Sequence, residues 1–101
     1  MKYNKLIRDK IPEIIKSKNQ NAKVHIATEK EFQEKLKEKL IEEANEFSKQ
    51  PNKEEFADIL EVLYAISDFY KFNPEEIRKV RKEKAKTRGR FKKRLILDET
   101  Y

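Results

Sequence analysis

A chain of 101 residues has room for one hydrophobic core, so residues 1–101 are expected to form a single domain. Charged residues make up 44%, yet Leu, Ile, Val and Phe number 26, above the level of roughly 20% below which highly charged chains stay disordered. The absence of Cys excludes disulfides, thiolate metal sites and a cysteine nucleophile, and the single His25 excludes a multi-histidine site within one chain. Oxygen is left as the main donor for any metal. The longest apolar run, residues 62–66, falls far short of the ~18 residues of a membrane span, so a soluble, cytoplasmic protein without a membrane partner is expected. Net charge is +6 and unevenly spread. Residues 51–77 hold two basic and seven acidic side chains, whereas residues 78–94 hold eleven basic ones against Glu83. The basic end suits a polyanion, and the acidic centre suits cations.

In chain order, a first helix is expected over residues 9–18, with Ile11, Ile14 and Ile15 inside it. Residues 24–27 can form a short extended segment. Thr28-Glu29-Lys30-Glu31 reads as a capping box, in which the Thr hydroxyl and the Glu carboxylate satisfy otherwise orphan amides. Phe32, Leu36, Leu40, Ala44 and Phe47 then recur at helical spacing and predict a helix from Glu29 to Lys49. Pro51 breaks it, and Asn52 can cap a second long helix over residues 53–71. Asn73 and Pro74 supply a cap and a first-turn proline for another, over residues 74–87, which Gly89 stops. Residues 95–97 are a second candidate for an extended segment. The fold class is all-α, a small bundle of about four helices. The helix over 53–71 is apolar around much of its circumference, through Phe56, Ile59, Leu60, Val62, Leu63, Tyr64, Ile66 and Phe69. One partner helix would not cover it, which points to a homodimer or homotetramer.

Two of these helices each send two acids toward their apolar sides. At about 100° per residue, Glu43 falls inside the apolar stripe of its helix, Glu46 flanks the stripe and Glu42 turns largely to solvent. On the next helix, Glu55 falls between Val62 and Ile66, and Asp58 between Ala65 and Phe69. Any one of these acids alone reads best as part of a solvated helix face, paired for example as Lys39 with Glu43. Two inward pairs at i, i+3 on consecutive helices reverse that preference, because clustered carboxylates out of water require a compensating cation. Oxygen ligands favour Mg²⁺ or Mn²⁺. A di-iron bundle needs an i, i+3 His on two helices, which this chain lacks. His25 reads better as a satisfied side chain than as a ligand, and Phe32, Phe47, Phe56 and Phe69 as core, with Tyr3 or Tyr70 the alternatives for stacking on a base.

Glu42-Glu43-x-x-Glu46, followed by Glu55-x-x-Asp58, resembles the signature of the MazG-type all-α nucleoside triphosphate pyrophosphohydrolases, relatives of phosphoribosyl-ATP pyrophosphohydrolase. The resemblance extends to the opening Tyr3-Asn4-Lys5-Leu6-Ile7-Arg8-Asp9-Lys10-Ile11-Pro12 and the closing Lys84-x-x-x-Arg88-Gly89-x-Phe91-x-Lys93-Arg94, and so covers nearly the whole chain. It implies hydrolysis of a nucleoside triphosphate to the monophosphate and pyrophosphate, a metal-activated water attacking the α-phosphorus. Glu43, Glu46, Glu55 and Asp58 are then the implied metal ligands. Glu43 and Glu42 carry the catalytic roles, Glu42 as the group that orients or deprotonates the water. Arg8, Lys10, Lys84 and Arg88 are the implied phosphate-binding cations. This chain departs from the pattern in the short eight-residue separation of Glu46 and Glu55, and in having Arg90 where relatives often carry a second glycine.

Two other readings stay open. One is a small basic helical nucleic-acid-binding protein, with residues 78–94 on the phosphate backbone; the other is a non-catalytic regulatory or dimerisation module. The inward acids have no role in the nucleic-acid reading. No residue identifies itself as a reader of base or sugar.

Overall fold

A computed structural model of the chain describes residues 2–101. Among these residues it contains four helices, α1 (Ile11–Ser17), α2 (Glu29–Lys49), α3 (Lys53–Phe69) and α4 (Pro74–Arg88). No strand forms among the described residues, so the extended segments expected at 24–27 and 95–97 are corrected to coil. Neither has a partner strand to complete a hydrogen-bonded ladder, and Ile26, Leu95, Ile96 and Leu97 stand exposed. The fold is all-α, and no helix among the described residues is long and apolar enough to cross a membrane.

The helix boundaries follow local chemistry. α1 starts at Ile11, two residues later than expected, which puts Pro12 in the first turn. There its missing N–H and its ring clash with the preceding turn do no harm. Thr28 Oγ1 accepts from the Glu31 amide at 3.2 Å to cap α2. Among the described residues the reciprocal half of the expected capping box does not form: the Glu31 carboxylate instead takes His25 Nε2, at 2.9 and 3.1 Å. Asn52 Oδ1 caps α3 by accepting from the Glu55 amide at 2.9 Å, and Asn73 Oδ1 caps α4 by accepting from the Glu75 amide at 2.8 Å. α3 ends at Phe69, short of the expected Lys71, because Lys71 turns into the left-handed region at φ 57°. α4 runs to Arg88 and stops at Gly89, whose φ of 81° is one that side-chain-bearing residues rarely adopt.

The chain divides into two compact units, Met1–Tyr70 and Lys71–Tyr101. The first is organised on α2 and α3, which pack on each other across a three-residue connection. Phe32 meets Phe69 edge-on at 5.6 Å between ring centroids, and Phe47 meets Phe56 at 6.1 Å. Early α2 thus lies on late α3, and late α2 on early α3, so the helices are antiparallel. The core is thin. Leu36, 2% exposed, and Val62, 8%, are its only buried apolar side chains among the described residues, while Phe56, Leu60, Leu63 and Tyr64 leave an apolar row of α3 exposed. The second unit carries α4, on which every residue but Ala85 is exposed.

Candidate metal centre

The register set by the two aromatic pairs carries Glu43 of α2 across from Asp58 of α3. Glu55 stands one turn before Asp58 on the same face, where the Asn52 cap begins the helix. One carboxylate oxygen each from Glu43, Glu55 and Asp58 lies within 4.8 Å of the others. All three side chains are half-buried. The neighbourhood pushes the Glu55 pKa up, through loss of water and then through the charges of Asp58, Glu43, Glu46 and Glu54. That net repulsion prevails although Glu55 sits in the first turn of α3, where the helix dipole favours a carboxylate.

Glu46 is exposed and is not one of the three close carboxylates, although its charge still bears on Glu55. Glu42 differs from its wheel position. It is half-buried because the N-terminal segment lies beside it, and its carboxylate takes Lys5 Nζ and Lys39 Nζ, each at 3.2 Å. Desolvation acts to raise its pKa, but the hydrogen bonds and charges of Lys39 and Lys5 outweigh it and hold the carboxyl below its ordinary value. Lys39, only 17% exposed, also lies 3.4 Å from Glu43 Oε1 and so links the two acids.

Of the four expected phosphate-binding cations, Arg8 lies at the cluster. Its Nη2 donates to Asp58 Oδ1 at 2.9 Å. Lys10 is the residue at the α1 N-terminus and is exposed. Lys84 and Arg88 are exposed one turn apart on α4, in the second unit. A cleft of about 250 Å³ opens between the N-terminal segment and α2, lined by Lys5, Lys35, Lys39 and Glu42 among others. The Lys5–Glu42 contact has no signal in the sequence, since the partners are 37 residues apart.

The donor set fits a hard divalent ion. Three carboxylates supply oxygen alone, the donor type that Mg²⁺ and Mn²⁺ take. Comparison with protein-family models, curated proteins and solved structures finds no match.

Proposed function

We propose that this chain is a MazG-like nucleotide pyrophosphohydrolase that uses Mg²⁺, or Mn²⁺ in its place, to hydrolyse a nucleoside triphosphate or related nucleotide to the monophosphate and pyrophosphate. The observation that carries the reading is the meeting of Glu43, Glu55 and Asp58 from two helices, with the Glu55 pKa pushed up by loss of water and then by the charges of the other acids. Packed acids that repel one another weaken the fold unless a cation neutralises them. The ion would supply charge neutralisation at the phosphate oxygens and a more acidic water.

The chain's own residues have separable tasks. Glu43, Glu55 and Asp58 would hold the ion, and the motif resemblance assigns Glu46, one turn after Glu43, to the same set. Glu42 is bound to two ammonium groups and is held ionised. That suits it to fix the N-terminal segment and to orient a water as an acceptor better than to remove a proton. Arg8, Lys10, Lys84 and Arg88 are assigned by the motif resemblance to the charge on the phosphates. The exposed apolar row of α3 supports a homodimer or homotetramer that covers it.

The test is metal-dependent binding and turnover of nucleoside triphosphates by the full chain and by Glu43→Gln. The variant should lose turnover by at least about a hundredfold, the scale of removing a charged group that acts on the transition state. Turnover equal to that of the unaltered chain would remove the assignment. A nucleic-acid role for the cationic row Lys79, Lys82 and Lys86 on α4 would instead appear as salt-sensitive binding that Glu43→Gln leaves unchanged.

A further inference from the structure

We propose that Arg8 is a built-in counter-cation of the acidic cluster, which a divalent ion must displace, so that the N-terminal segment sets the affinity of the cluster for the ion. The inference rests on the metal-site reading above and adds a regulator to it. Arg8 and Asp58 are 50 residues apart, so their 2.9 Å contact is not a by-product of helical spacing. The segment that delivers Arg8 is tied down at two further points. Lys35 Nζ donates to the Asn4 carbonyl at 2.9 Å, and Lys5 Nζ reaches Glu42 at 3.2 Å. Leu6 and Ile7, between these anchors and Arg8, are half-buried. The strap is thereby fastened to α2 by its front and to α3 by Arg8.

A guanidinium and a divalent ion compete for Asp58. Each needs a carboxylate oxygen, and the two positive charges repel at that range. The contact is also one that can exchange, because Arg8 is 56% and Asp58 39% exposed, and pairs so open to water are weak. Release leaves Arg8 tethered beside the cluster with its planar fork free, the geometry that matches phosphate oxygens. Arg8 would therefore oppose the ion in the absence of nucleotide and assist the nucleotide once the ion is seated.

The experiment is a titration of the full chain with Mn²⁺ alone, followed by electron paramagnetic resonance, with folding checked by circular dichroism. Arg8→Gln should bind Mn²⁺ about fivefold more tightly than the unaltered chain, equivalent to about 1 kcal/mol at 1.4 kcal/mol per tenfold. Arg8→Lys, which keeps the charge but loses the fork, should fall between them. Lys30→Gln removes the same unit charge from an exposed position about 20 Å along α2 from Glu43, well beyond a Debye length, and should change the affinity by less than about twofold. The inference is overturned if Arg8→Gln binds Mn²⁺ no more tightly, or if Lys30→Gln has an equal effect. Ion binding that Glu43→Gln abolishes and Arg8→Gln leaves unmoved would remove this role of Arg8 and keep the metal site. No binding to any form would remove both.

Discussion

Replacement of Glu43 by Gln should reverse the order of stability of the two proteins according to whether divalent ion is present. Glu43 and Asp58 have carboxylate oxygens within 4.8 Å. Two unit charges at that distance repel by about 3.5 kcal/mol at an effective dielectric of about 20, and by about 0.9 kcal/mol in water. Asp58 is 39% exposed and faces Arg8, which puts the repulsion near the lower figure, about 1 kcal/mol. Against that, the variant loses the Lys39 pairing at 3.4 Å, an i, i+4 contact worth about 0.3–0.5 kcal/mol. The balance, roughly 0.5 kcal/mol, raises the melting temperature of ion-free Glu43→Gln by about 2–4 °C. With Mg²⁺ at a hundred times its dissociation constant, the unaltered chain gains about 2.7 kcal/mol, or roughly 10–20 °C for a domain of this size. The variant, lacking one charged ligand, should gain little. Thermal melts followed by circular dichroism at pH 7, with and without Mg²⁺ at matched ionic strength, measure both differences. An ion-free variant that melts below the unaltered chain, together with equal gains from Mg²⁺, would refute the reasoning.

Three further perturbations follow from the same geometry. The folded-state pKa of Glu55 is raised above the ordinary 4.5, so the native state holds its proton to higher pH than the unfolded chain does and ion-free stability falls as pH rises through that value. Glu42 has the opposite sign: its stabilisation is present above 4.5 and is lost as pH falls through its lowered folded value. Urea titrations at pH 7, 5 and 3 should therefore find Glu55→Gln more stable than the unaltered chain at pH 7 and the gap closing on acidification; a constant gap would contradict this. Leu36→Ala removes the one fully buried large side chain among the described residues and should cost about 3 kcal/mol, near the low end for core leucines because its neighbours are only half-buried. A cost under about 1 kcal/mol in urea would mean that the core lies elsewhere. Asn52→Ala should cost about 1 kcal/mol through loss of the α3 cap and, because that cap fixes the turn carrying Glu55, should also weaken Mn²⁺ binding in a direct titration.

Much of the fold was legible because its signals are local. Thr28, Asn52 and Asn73 announce helix starts by side-chain chemistry that acts over two or three residues, and each is found capping. The inward turn of Glu43, Glu55 and Asp58 was legible for the same reason, since i, i+3 spacing decides which side chains share a face. What escaped the sequence is what tertiary structure adds. The spacing that turns Glu42 to solvent contains nothing of the N-terminal segment, whose Lys5 meets it from 37 residues away. Arg8 was legible as a cation suited to phosphate, but its seat on Asp58 depends on how residues 2–10 cross the helices, which no periodicity encodes. Glu31 fits the capping-box spacing, yet a histidine six residues upstream takes its carboxylate. The apolar excess of α3 was legible as well, and it remains exposed along Phe56, Leu60, Leu63 and Tyr64.

The central claim is that the meeting of three carboxylates is a site for metal-dependent nucleotide cleavage. Pyrophosphate release from a panel of canonical and modified nucleoside triphosphates, with Mg²⁺, with Mn²⁺ and with chelator, tests it most directly when Glu43→Gln is run beside the unaltered chain. The account predicts release that needs the ion, stops with chelator and is lost in the variant. No release by a folded, ion-loaded protein across the panel, or release that the variant retains, would contradict it.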